Sequence, residues 1–175
     1  MGLDVYYDYL GNNQYRIIIK AYGDCASTLG VDGLPNAGGL DFQLIGQGGG
    51  CTQPVQIGSW QLLSYQEVTP ICPGYPTKCN TSGASLDGVR EAVFQGIFDF
   101  TNVNCTRYNI RVSNCCRNNA ITNVTSPGSR YIYSDVTTID LSNPNSSPRF
   151  TQLPTPYICY NQPFSFNQGA VDPDG

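Results

Sequence analysis

A chain of 175 residues, 40% of them hydrophobic, is long enough to bury the core of one domain. Nineteen Gly, twelve Pro and twelve Tyr against two Lys, two Glu and one Met is the composition of strands and turns, and it excludes a helical protein. A net charge of −4 offers no basic footprint for nucleic acid, and the absence of His removes Ser–His and Cys–His nucleophile pairs.

Eight cysteines, Cys25, Cys51, Cys72, Cys79, Cys105, Cys115, Cys116 and Cys159, form an even set without Cys-x-x-Cys spacing. That points away from zinc or a redox centre and toward structural disulfides in an oxidising compartment. No run approaches the ~18 apolar residues of a membrane-spanning helix, so no direct membrane insertion is expected of this segment. Met1-Gly2 leads straight into strand-like sequence without a basic or apolar leader, so the chain is either cytosolic or a mature secreted segment given a start methionine, and the cysteine count favours the second.

Along the chain, Leu3 to Leu10 and Gln14 to Tyr22 alternate in hydrophobicity around Gly11-Asn12-Asn13, the signature of a hairpin. Its second face carries Asp4, Asp8, Arg16 and Lys20, expected to pair across the strands on a solvated surface. Ala26 to Gly39 reads as a loop and Leu40 to Ile45 as a short strand. Gly46-Gln47-Gly48-Gly49-Gly50 lacks the Gly-Lys-Ser/Thr ending and following helix of a phosphate loop, so it is read as a turn.

Ser59 to Val68 is the next expected strand, with Trp60 as a core anchor. Cys72 and Cys79 flank a segment bent by two prolines and a glycine, so a bridge between them is expected, closing a knuckle that carries Tyr75 and Lys78. Val89 to Phe100 and Arg107 to Ser113 alternate and read as a second hairpin, with Gly96 marking a bulge or a close backbone approach. Arg130 to Leu141, Phe150 to Leu153 and Pro163 to Gln168 complete the expected strands, with a turn cluster from Ser142 to Pro148.

Cys115 and Cys116 are adjacent, and side chains alternate faces along an extended chain, so each reaches a different partner. If 106–114 is one strand, Cys105 and Cys115 lie about 30 Å apart, beyond bridging distance. Cys105 therefore bonds elsewhere, and Cys115 and Cys116 seek partners among Cys25, Cys51 and Cys159. Four bridges at ~3 kcal/mol each would dominate the stability of so loop-rich a chain.

Little catalytic chemistry is available. Glu67 and Glu91 are the only Glu, and nothing in the sequence places them at the ~5 to 9 Å of a glycosidase pair. Arg117 is a candidate clamp for a carboxylate or sugar, although beside two bridged cysteines the favoured reading is that it bonds carbonyls of the following turn. Asp172 and Asp174 are candidate Ca2+ ligands, needing oxygens from a following domain to complete a site. No other cofactor is expected.

Four blocks resemble one family: Tyr9-Leu10-Gly11-Asn12-Asn13-Gln14-Tyr15 with Tyr22-Gly23-Asp24-Cys25; Cys115 to Asn123; Asn145-Ser146-Ser147-Pro148-Arg149-Phe150; and Tyr157-Ile158-Cys159 through Asp172-Pro173-Asp174-Gly175. The family is the disulfide-bearing β-domain of very large secreted Bacteroidetes surface proteins, gliding-motility-associated and adhesin-like. The resemblance implies a multi-domain polypeptide exported by the type IX route, with Ig-like or cadherin-like repeats downstream. It also makes the terminal Asp-Pro-Asp-Gly similar to the opening of a following repeat. Gly23 departs from the family's more usual Arg.

The expectation is an all-β antiparallel sandwich, Ig-like or jelly-roll-like, with long loops and disulfide staples. Residues 1–156 form one domain, and 157–175 a linker and the first strand of a truncated following repeat. The function expected is a non-enzymatic structural or adhesive module of a bacterial cell-surface protein, extracellular, contacting neighbouring domains and surface glycans or other surface proteins. Two rivals stand beside it: a carbohydrate-binding module stacking sugars on Tyr6, Tyr65, Tyr75, Tyr131 and Tyr133, and a filament or complex subunit pairing through strand edges.

Overall fold

A computed structural model describes residues 2–26, 39–72, 74–114, 122–123, 125–126, 132–153 and 161–175, with the backbone alone over 132–137. Among them are nine strands and no helix: β1 (Gly2–Gly11), β2 (Gln14–Asp24), β3 (Asp41–Gly46), β4 (Val55–Glu67), β5 (Val89–Asp99), β6 (Arg107–Asn114), β7 (Ile132–Asp140), β8 (Arg149–Phe150) and β9 (Ala170–Val171). Every strand pair is antiparallel. The sheets run β1-β2-β5-β4 and β3-β6-β7, with β8 and β9 forming a small third sheet. This is the ABED and CFG strand order of constant-type immunoglobulin domains.

The inner faces meet in one core. Val5, Tyr7, Tyr15, Ile17, Ile19, Ala92, Phe94 and Phe98 from the four-stranded sheet pack with Phe42, Leu44, Tyr108, Ile110, Val112 and Ile139 from the three-stranded one. Trp60 anchors the core as expected, with its ring 4.9 Å from Phe42 and 5.8 Å from Phe98. Gly96 is the close approach its strand position predicted, since a Cβ there would lie 3.0 Å from the Trp60 ring. Tyr108, at the start of β6, donates its hydroxyl to the Thr52 carbonyl at 2.6 Å.

The first hairpin forms in the expected register, with Asp4 opposite Lys20 and Asp8 opposite Arg16, turning through positive φ at Gly11, Asn12 and Asn13. Arg16 meets Asp8 at 2.8 Å. The surface around them is not simply solvated, because the C-terminal residues fold over it. Arg149 lies 3.9 Å from Asp8, and Asp8 is buried. Phe150, Gln152, Phe166 and Gln168 face Asp4 and Tyr22 across a cleft of ≈ 170 Å³.

The expected second hairpin does not exist. β5 pairs with β2 and β4, whereas β6 pairs with β3 and β7, so the segment between them crosses from one sheet to the other. Alternation identifies a strand and its buried face, but two strands with the same alternation fit either sheet equally well. The strand expected at Pro163–Gln168 is also absent. Phe164 and Phe166 stack on each other there, and the pairing to β8 is made further along by Ala170–Val171.

Candidate functional site at the loop end

The connections β2–β3, β4–β5 and β6–β7 start from Asp24, Glu67 and Asn114, which lie opposite Val89, Arg90 and Ile132 at the starts of β5 and β7. These are the three longest connections within the two main sheets. The opposite end carries the hairpin turn and the short β3–β4 and β5–β6 connections. In such sandwiches the loops gathered at an end are where recognition resides.

The 68–88 connection is pinned at its base. The Glu67 carboxylate accepts from Thr77 Oγ1 at 2.6 Å, Thr69 Oγ1 at 2.7 Å and Asn80 Nδ2 at 3.1 Å. Those donors, Thr77 foremost, hold its pKa below the ordinary carboxylate value. Thr77 is fully buried, and its hydroxyl also accepts from the Cys79 amide. Arg90 donates to the Cys79 carbonyl at 3.2 Å and to the Tyr65 hydroxyl at 2.8 Å, while its guanidinium lies over the Tyr65 ring.

Cys79 is bridged to Cys25, which corrects the expected Cys72–Cys79 pairing. The reason is long-range: β2 pairs with β5, so the residue just past β2 meets the connection entering β5. The Cys25 amide donates to the Gly88 carbonyl there, and a Cβ on Gly88 would lie 2.6 Å from Cys79 Sγ. The second bridge, Cys51–Cys105, ties two connections at the opposite end. Cys105 thus bonds elsewhere than Cys115, as strand geometry required. With Cys25 and Cys51 taken, Cys159 alone remains of the partners expected for Cys115 and Cys116. Cys72 is exposed and unbridged among the described residues.

Above this base, Pro70, Ile71, Cys72, Tyr75, Ser85 and Leu86 line an open depression of ≈ 750 Å³. Tyr75 stands 53% exposed at its rim. Sequence reasoning singled out Tyr75 but missed Ile71, Ser85 and Leu86; the one signal for them was their place within a connection closed by cysteine.

No family model matches the chain, and no curated protein or solved structure matches it.

The other candidate residues are scattered. Cys115, Cys116, Cys159, Arg117 and Tyr131 lie outside the described residues, and Tyr133 is described by its backbone only. Tyr6 is half-buried between Lys20 and Arg149, whose charges lie 5.7 and 5.9 Å from its ring centre. Asp172 accepts from the Asp174 amide, and Asp174 accepts from the Ser146 amide, so both carboxylates are engaged within the chain. No group of three or more His, Cys, Asp or Glu side chains among the described residues could hold a metal ion. Glu67 lies opposite Arg90 and Glu91 opposite Gln66, and adjacent positions on paired strands point to opposite faces.

One surface feature escaped the sequence reading altogether. β4 leaves Val55, Ile57, Leu62 and Leu63 between 43 and 63% exposed.

Proposed function

We propose that the chain is a non-enzymatic, extracellular, immunoglobulin-like module of a larger surface protein that makes adhesive contacts through its loop end. One observation carries this reading: the 68–88 connection is bridged to Cys25 and pinned by Glu67, Thr77 and Arg90, yet it presents Tyr75 and an apolar depression to solvent. Holding a recognition loop rigid before contact reduces the ordering cost of binding. The disulfides support an oxidising environment outside the cytoplasm. The resemblance of four sequence blocks to secreted Bacteroidetes surface proteins supports a larger parent chain, in which Asp172 and Asp174 would take Ca2+ only with oxygens from a following domain.

A carbohydrate is the ligand class favoured by an exposed Tyr beside an apolar floor. Beads coated with the protein should be retained on a glycan array or on bacterial cell surfaces, and Tyr75→Ala should cut retention at least tenfold with an unchanged circular dichroism spectrum. Equal retention of the variant would remove the loop end from the reading.

A further inference from the structure

We propose that β4 is a homodimerisation edge, which pairs antiparallel with β4 of a second copy across a two-fold axis. The other edge of the same sheet is capped at Tyr7 and Tyr9. Ser147 Oγ accepts from the Tyr7 amide at 2.8 Å, the Ser147 amide donates to the Tyr7 carbonyl at 2.8 Å, and Ser146 Oγ accepts from the Tyr9 amide at 3.2 Å. The 145–148 segment therefore does for β1 what a neighbouring strand would do. β4 differs: among the described residues its backbone from Val55 to Ser64 bonds only to β5. One capped and one open edge allow the sheet to grow once, which yields a closed dimer and not a filament.

The chemistry of the edge selects a second copy as occupant. From Val55 to Gln66 the strand has no charged residue, so it offers no electrostatic handle to a foreign partner and meets no repulsion from itself. Edge strands normally carry charge to prevent such pairing, and the neighbouring edge strand β3 does so, exposing Asp41. On β4 the exposed apolar side chains lie on both faces: Ile57 beside Ile97 on the outer face, Leu62 beside Phe94 on the inner. That two-sided pattern belongs to the interior of a sheet.

Register irregularities at Ile57/Gln61 and Leu62/Ser64 kink the middle of the strand and leave regular ends. Two-fold pairing sets Val55–Ile57 of each copy against Ser64–Gln66 of the other, and keeps the two Glu67 carboxylates apart.

Sedimentation velocity from 1 to 500 µM should show a monomer–dimer equilibrium with a midpoint on the order of 10–100 µM, as a short strand interface provides. Ile57→Lys with Leu62→Lys should remain monomeric throughout at an unchanged melting temperature, while Leu10→Lys, beside the capped β1 edge, should dimerise as wild type does. Hydrogen exchange on the wild type, at concentrations well below and above the midpoint, should show added protection confined to β4. A wild-type monomer at 500 µM, or a dimer without β4 protection, overturns the proposal, and either result leaves the loop-end reading untouched.

Discussion

Glu91 is the side chain most at odds with its surroundings. It is 5% exposed, its charge lies against the Tyr22 phenol, and one of its carboxylate oxygens is buried without a hydrogen-bond partner among the described residues. A buried carboxylate so poorly compensated is costly. Glu91→Gln keeps the shape and removes the charge, so it should raise stability by about 1 kcal/mol, seen as a melting midpoint some 2–4 °C higher. A lower midpoint would show that the surroundings of Glu91 stabilise its charge and overturn this account.

Two phenols give the alkaline limit. Burial pushes Tyr15 up to about 12, with Tyr9, Tyr7 and Asp140 adding to the effect. Burial raises Tyr22 as well, with the Glu91 charge adding to the effect. A folded pKa above the unfolded value of ~10 means stability that is whole below pH ~10 and lost as pH climbs beyond it. For Tyr15 that loss is about 2–3 kcal/mol by pH ~12, from two pKa steps at ~1.4 kcal/mol each. Melting followed at 295 nm should show the phenolate signal of these two residues appearing with unfolding, and Tyr15→Phe should soften the decline.

At the scale of elements, the Ser146–Ser147 segment caps the β1 edge with side chains as well as backbone. Ser147→Ala would strip the Tyr7 amide of its acceptor, at a cost of about 1–3 kcal/mol for a buried donor left unmet. Denaturant unfolding should register that loss, and hydrogen exchange should show the Tyr7 amide opening first. Alternating residues made the seven long strands readable within a few residues, because burial on one face imposes period two. Partner choice was readable only for β1 and β2, which share a two-residue turn with Asn at positive φ. The β5–β6 hairpin failed because nothing local distinguishes a short connection that turns within a sheet from one that crosses between sheets. The same blindness hid the Cys25–Cys79 bridge, since its geometry depends on β2 lying beside β5. Tyr75 was readable as exposed because prolines and a glycine surround it, whereas the floor formed by Ile71 and Leu86 depends on how the connection folds back, with Thr77 bridging to Leu86.

For the molecule as a whole, one bridge joins connections at each end of the sandwich, and each closes 54 residues. The loops they close interleave, Cys51 lying inside the first and Cys79 inside the second. If the ends of the chain are pulled apart, either bridge alone removes one such length from the extensible polypeptide, about 190 Å at ~3.5 Å per residue. Both together remove no more than that. The second bridge instead adds a parallel load path, so tension between Cys25 and Cys105 divides between two arms of equal length. In single-molecule stretching of a chain whose other four cysteines are serine, deleting either pair should leave the unfolded contour length unchanged. Deleting both should lengthen it by about 190 Å. A tether built this way would survive the reduction of one disulfide without paying out slack.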